Sequence, residues 1–272
     1  MSSMKHLLAA AAVLATLGHA RADDINPERF GWFSGDWSLT VGASGFLAPD
    51  YDGSDELEFR AVPILSLGRA GPAARFVSRN DNISFALIDQ GRFRAGPTGK
   101  FIFGRDAGDS SDLTGLDEVR FGGELGVFAE LYPLDWMRVR GEVRHGIRSH
   151  DGIVADLAID AFADVTETVR VSAGPRLSYA TDRYFDAFYG ISPAESGASG
   201  LAAYDPGSGI KSAGVGGAIT WQTTDRIATS LFGEYERLAD PAADSPLVRE
   251  RGSPDQFTFG LSATYRFDFT VP

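Results

Sequence analysis

Apolar and polar residues alternate one for one along most of this chain. In "WSLTVGASGFL", Trp37, Leu39, Val41, Ala43 and Leu47 share one face, and in "VRFGGELGVFAEL" Val119, Phe121, Leu125, Val127, Ala129 and Leu131 do. Successive side chains of a β-strand leave opposite faces, so a period of two predicts strands with one apolar side. The same pattern runs through "EFRAVPILSL", "GRFRAGPTGKFIF", "WMRVRGEVRHGIR", "IVADLAIDAFAD", "TVRVSAGPRLSYA", "SAGVGGAITW", "IATSLFGEYERL" and "FTFGLSATYRF". Weaker, shorter strands are predicted at 73–79 and 82–88, for twelve in all.

The connections alternate in length. Short turns fall at 69–72, 89–90, 132–135, 165–167 and 223–225, with generally longer polar loops at 48–57, 80–81, 104–118, 149–152, 182–210 and 239–255. An even number of antiparallel strands, short turns at one rim and longer loops at the other is the layout of a transmembrane β-barrel of the outer-membrane type. A soluble sandwich alternates too, but needs only about seven strands. Many strands here run well beyond the roughly 5–6 residues of globular sheets and match the roughly 9–11 that a tilted strand needs to cross hydrocarbon. The final strand carries Gly260, then Tyr265 and Phe267 on its apolar face, resembling the C-terminal signal read by the barrel-assembly machinery; "DFTVP" trails beyond it.

A membrane barrel explains the stretch from Trp136 to Arg148, where Arg138, Arg140, Arg144 and Arg148 share a face opposite Met137, Val139, Val143 and Ile147. Arginine facing lipid at the bilayer midplane costs about 2–4 kcal/mol, so the arginines are expected in the lumen. His145, on the outward face, is expected near a headgroup boundary. The neighbouring inward faces carry Glu124 and Glu130, then Asp156, Asp160 and Asp164, then Arg170 and Arg176, so acid and base alternate from strand to strand. A tight 132–135 turn would set Glu130 opposite Arg138 and Glu124 opposite Arg144; a tight 149–152 loop would set Arg144 opposite Asp156 and Arg140 opposite Asp160. A selective pore would show one sign in surplus. The balance here favours charges that neutralise one another and fill a narrow interior.

The start of the chain reads as an export signal, residues 1–22: Lys5 and His6, an apolar run from Leu7 to Leu17, then "ARA" before Asp23. Residues 23–36 are expected as a short periplasmic lead-in and 37–272 as the barrel. The chain has 272 residues, no cysteine and a formal charge of −12, so nucleic acid is not expected as a partner. Outer-membrane lipids and lipopolysaccharide are.

Candidate chemistry is thin. His145 and His150 are the only histidines after the signal, and consecutive "RSHD" cannot readily supply a serine–histidine–aspartate triad, so a polar loop tip is expected there and no enzyme. The first loop, with Asp50, Asp52, Asp55, Glu56 and Glu58, lacks the spacing of a calcium loop and reads as a solvated turn. No zinc or nucleotide motif is present, so no metal and no cofactor are expected. Asn82-Ile-Ser84 matches a glycosylation sequon, a weak pattern. Trp37, Phe103, Tyr132, Trp136, Tyr179 and Trp221 fit interfacial aromatic girdles.

Loops and strands together resemble a known family. "PDYDGSDELEFRAVPILSL", "GKFIFGRD" followed by "LTGLDEV" and "GGELGVFAE", "YFDAFYGISPAESGASGLAAYDPGSGIKSAGVGGAITW" and "ADSPLVRERGSPDQFTFGLSATYRF" resemble the MipA/OmpV family, from about Trp37 to Phe267. The resemblance implies an antiparallel outer-membrane barrel. It also implies, by its founding member, a scaffold linking a murein lytic transglycosylase to a penicillin-binding synthase. Other members act as surface antigens, adhesins or porin-like proteins, so a small-solute channel is the alternative and an outer-membrane hydrolase a more distant one. The matching segments contain no established catalytic group, and none is carried over.

Overall fold

The computed structural model describes residues 34–69, 76–78 and 81–272. The expected export signal and all but the end of the 23–36 lead-in lie outside the described residues.

Among the described residues the chain forms twelve strands: β1 (Gly35–Pro49), β2 (Leu57–Arg69), β3 (Ile83–Phe85), β4 (Ile88–Gln90), β5 (Phe93–Ile102), β6 (Gly122–Leu134), β7 (Met137–Ile147), β8 (Ile153–Asp164), β9 (Val169–Ala180), β10 (Gly209–Gln222), β11 (Ile227–Leu238) and β12 (Asp255–Val271). Apart from β3 and β4, each neighbours the next around one sheet, β1 also flanks β12, and β3 bridges β2 and β5. The ring therefore closes with eleven strands, while β4 lies outside that count, paired with β5 through Ile88↔Ala95.

This corrects the expected ring of twelve antiparallel strands. A ring whose neighbours are all antiparallel must have an even count, so an eleven-stranded ring contains a parallel pair. It is β2 with β3, through Ser66↔Ser84 and Leu67↔Phe85. Of the expected strand at 73–79, only residues 76–78 are described, and they are non-strand: Phe76 is buried against Phe162 with ring centroids 4.6 Å apart. The expected strand at 82–88 is split into β3 and the start of β4. Residues 76–78 and 81–82 therefore belong to the interior rather than to the wall.

The outer surface is what hydrocarbon requires. Leu125 is 63% and Leu261 64% exposed, with Phe59, Val127, Val143, Leu157, Val215 and Leu231 also exposed along the wall. So broad an apolar band is tolerated where lipid covers it. The inward positions divide by strand. Those of β6 and β7 carry large ions, whereas Ser44 on β1, Ser212 on β10, Ser230 on β11 and Ser262 on β12 are small and buried.

The longer loops carry their own core. The connection from β9 to β10 holds α1 (Asp182–Tyr189) and α2 (Pro193–Ser199), and the connection from β11 to β12 holds α3 (Pro246–Arg251). Tyr184, Phe185, Phe188 and Tyr189 of α1 pack with Val119, Val154, Leu238 and Val248. A second cluster joins Tyr51, Leu113, Ile191, Leu201 and Leu247. Ser192 and Glu195 form a capping box at the start of α2, and Gly200, at φ +79°, ends it in the left-handed conformation that glycine adopts without strain. The 182–210 segment thus forms part of a packed roof over one mouth of the barrel.

Candidate functional site

The arginine face of β7 lies in the interior. Arg138, Arg140, Glu142 and Arg144 are all buried, and the alternating Val143 and Ile147 are exposed on the outer face. Arg138 donates to Asp81 at 2.6 and 2.8 Å and to Asp160 at 2.7 Å, and lies 3.4 Å from Glu130. Arg140 binds Glu130 at 3.0 Å and Glu142 at 2.7 Å. Arg144 binds Glu124 at 2.7 Å, Glu142 at 2.6 Å and Asp156 at 2.5 Å. Arg94 adds a contact to Glu130 at 2.7 Å, and Arg176 one to Asp160 at 2.6 Å. Arg138 also lies over Phe76 and Arg140 over Phe128, 4.9 and 4.2 Å from the ring centroids. Every one of these guanidiniums is shared by at least one carboxylate, as burial of a charge demands.

The expected partners were displaced along the strands. Glu130 stands opposite Arg140, not Arg138, and Glu124 opposite Gly146, not Arg144. Asp160 stands opposite Arg138, not Arg140, and Asp156 opposite Glu142, not Arg144. Each pairing is shifted by two residues. The β6–β7 ladder continues to Leu134↔Met137 through an irregularity after Leu131, which leaves only Asp135 and Trp136 in the turn. A two-residue shift keeps every side chain on its face. Arg144 still reaches Glu124 and Asp156, diagonally.

Three of the expected lumen residues lie apart from this network. Arg148 falls beyond the end of β7, exposed and at φ 73°, because the strand stops at Ile147. Asp164 and Arg170 pair with each other at 2.7 Å, exposed near the β8–β9 turn. On β12, Gly260 is on the inward face, while Tyr265 and Phe267 are on the other, 4.5 Å apart between ring centroids. The "DFTV" that was expected to trail is the end of β12 itself, and Phe269 extends the aromatic face.

Other expectations also change. His150 is no exposed loop tip: it is buried, packs edge-on against Tyr184, accepts from the Gly152 amide at Nδ1 and meets Glu124 through Nε2 at 3.1 Å. Neighbouring Ser149 is buried, its hydroxyl without a hydrogen-bond partner among the described residues, and it does not pair with His150. Asn82 is inside, donating to Glu142 at 2.8 Å. Trp37 is buried against Phe85 and Tyr132 turns inward to Glu130, whereas Phe103, Trp136, Tyr179 and Trp221 are exposed. The first loop is only partly a solvated turn: Asp50 caps the Tyr51 amide and Asp52 reaches Lys211 at 3.0 Å.

A cavity of about 550 Å³ runs from beneath the loops, where Asp52, Arg105, Tyr184 and Lys211 line it, into the network itself, where Glu124, Glu130, Arg140 and Arg144 do. Burial opposes the Asp52 charge, but Lys211 and the Tyr184 hydroxyl hold its pKa down at about 2. Burial, with nearby carboxylates, pushes the Tyr184 hydroxyl well up, so it stays protonated and donates to Asp52. Burial also lowers the pKa of Arg105, which lies 5.7 and 5.6 Å from the ring centroids of Tyr51 and Phe188.

Sequence reasoning missed Asp81, the carboxylate that clamps Arg138. It sits between two weak strand patterns and belongs to neither, so periodicity carried no trace of it. Glu142 was legible, since it alternates in step with the arginines.

The family model for "MltA-interacting protein MipA" matches residues 41–267. No curated protein matches. Among solved structures, a bacterial polysaccharide outer-membrane secretin is 10% identical, covers 85% of this chain and 98% of its own, and superposes with a TM-score of 0.40. Neisserial surface protein A is 9% identical, with 86% and 97% covered and a TM-score of 0.29. The outer-membrane protein OprG of Pseudomonas aeruginosa is 10% identical, with 86% and 96% covered and a TM-score of 0.30. Superpositions this loose carry no argument.

Proposed function

The chain belongs to the MltA-interacting protein family, and from that premise we propose that this outer-membrane β-barrel is a non-enzymatic, non-conducting scaffold of the cell envelope. Its proposed partner is a murein lytic transglycosylase, as the family's description suggests, with a penicillin-binding synthase as the second arm implied by the sequence resemblance. One observation carries the reading: the interior is spanned by the Arg138–Asp81–Asp160 ion pairs, with Phe76 packed on Arg138. A conducting pore keeps its charges hydrated along an open path. Here Arg138, Arg144, Glu124, Glu130 and Asp160 are buried instead.

The partner surface is expected on the short-turn rim, which includes the Arg92–Asp135 pair and the Thr223–Arg226 turn. These turns are small against the roughly 1,200–2,000 Å² of a specific interface, so residues 23–36 are expected to join them. Outer-membrane lipids surround the wall, and the aromatic face of β12 serves the barrel-assembly machinery. Affinity purification from detergent-solubilised envelopes tests the scaffold role. A murein lytic transglycosylase should co-purify with the wild type and be lost when Arg92 and Arg226 are both replaced by Glu. Large, stable steps in a planar bilayer with no co-purifying murein enzyme would favour the small-solute channel instead.

A further inference from the structure

The wall has one thin place. Between β2 and β5 stands only the three-residue β3, paired with β2 at Ser66 and Leu67 and with β5 at Thr98 and Gly99. Toward the loop rim, residues 57–65 of β2 pair with β1 on one edge and have no strand partner on the other among the described residues. Residues 100–102 of β5 likewise pair with β6 alone. The wall is therefore open there by the width of one missing strand, with β2 and β5 two strand spacings, about 10 Å, apart.

This opening gives on lipid outside and on the cavity inside. At its lower end Gly99 pairs with Leu125, which is 63% exposed on the outer face. Pro63, Leu65 and Phe101 belong to the same outer face, yet they also line the cavity, so the cavity reaches through the wall between the two edges. Open strand edges are tolerated at membrane depth where they line such a space. Inside, the surface beside the opening is apolar rather than ionic. Val62 and Ile64 on β2, Phe46 on β1 and Phe232 on β11 alternate with outward residues and line the cavity, half-buried. The rings of Phe46 and Phe232 are 6.4 Å apart. They meet across β12 because Gly260, opposite Phe232, has no side chain: a Cβ there would lie 2.4 Å from that of Phe46. An apolar strip thus leads inward from the opening.

We propose that the cavity takes up one unbranched acyl chain of a single-chain amphiphile, which enters sideways from the outer leaflet between β2 and β5 and lies along Val62, Ile64, Phe46 and Phe232. A gap one strand wide passes a single extended chain and not two abreast. The chain loses nothing on leaving hydrocarbon for an apolar strip, and the strip is covered from water. The volume of about 550 Å³ lies in the usual range of small-molecule sites. Deeper in the barrel the Arg138 ion pairs span the interior, so the chain is held there and not passed on to the periplasm. The inference is independent of the scaffold role, because it concerns the side wall and not the short-turn rim.

Photocrosslinking of the intact protein in phosphatidylcholine nanodiscs, with no murein enzyme present, tests it. The probe is palmitic acid with a diazirine at the chain end, and the comparison is a phosphatidylethanolamine carrying the same diazirine on one acyl chain. Peptide mass mapping should place the fatty-acid label on Phe46, Val62, Ile64 or Phe232, and excess unlabelled palmitic acid should remove it. Leu125 and Leu261, on the outer face, should be labelled by both probes without such competition. Replacing Val62 and Ile64 together by Glu, at inward positions free of the lipid penalty, should abolish the label on Phe46 and Phe232 and keep that on Leu125. Heat-modifiable gel mobility checks that this variant is folded, and the map of the wild type stands without it. Fatty-acid label confined to outward residues, inward label that excess palmitic acid leaves in place, or inward labelling by the phospholipid as strong as by the fatty acid would overturn the proposal.

Discussion

Arg138 shows most directly how one residue holds the interior. Its side chain is 1% exposed and answers Asp81, Asp160 and Glu130 together. Removing a partner from a buried ion cluster strands the remaining charges, which costs about 3–5 kcal/mol. Arg138→Ala should therefore lower the unfolding free energy of the lipid-reconstituted barrel, read by urea titration, by that amount, and Arg138→Lys by less, since a lysine keeps the charge and loses the planar fork. A second residue-scale effect concerns pH. Lys211 holds the Asp52 pKa at about 2, below the roughly 3.9 of an unfolded aspartate. A carboxylate depressed on folding stabilises above its unfolded pKa, and that stabilisation fades as pH falls from about 4 towards 2. Protease sensitivity of the roofing loops should rise across this window in the wild type. In Asp52→Asn that component should be missing. Its size will be modest, because the Asp52 side chain keeps 39% exposure.

At the scale of elements, the interior segment and the roof matter most. Asp81 and Asn82 tie the segment before β3 to Arg138 and Glu142, on β7. Replacing both by Ala removes the polar anchors of that segment while leaving the wall ladders intact. The expected outcome is conductance steps in a planar bilayer that the wild type lacks; a silent double variant would mean that the remaining packing of Phe76 suffices. The roof was only partly legible from sequence. The long polar loop at 182–210 was evident, but its aromatic residues, Tyr184, Phe185, Phe188 and Tyr189, find their partners on other loops and strand ends distant in the chain. A pattern within one loop cannot name a partner in another. His150 was misjudged for the same reason: its neighbours in sequence are polar, while its neighbours in space are Tyr184, Phe188 and Glu124.

For the molecule as a whole, the decisive feature is a wall apolar outside and polar inside. Leu125, on the outer face of β6, is 63% exposed. Leu125→Arg sets a guanidinium against lipid at about 2–4 kcal/mol near the midplane. Heat-modifiable mobility of this variant should be lost at a lower temperature than in the wild type, and insertion yield should fall. The same change at an inward position would not carry the lipid penalty.

The alternation of residues by itself determined that the chain makes long strands with one greasy and one polar face, because a period of two is local and survives any shift of register by two. It thereby placed Arg138, Arg140 and Arg144 inside before any partner was known. What only the tertiary structure decided was which carboxylate meets which arginine, how many strands close the ring, and that residues 76–78 and 81–82 enter the interior. Those are properties of closure: a ring must match its last edge to its first, and the parallel β2–β3 seam that solves this leaves no mark on either strand's own pattern.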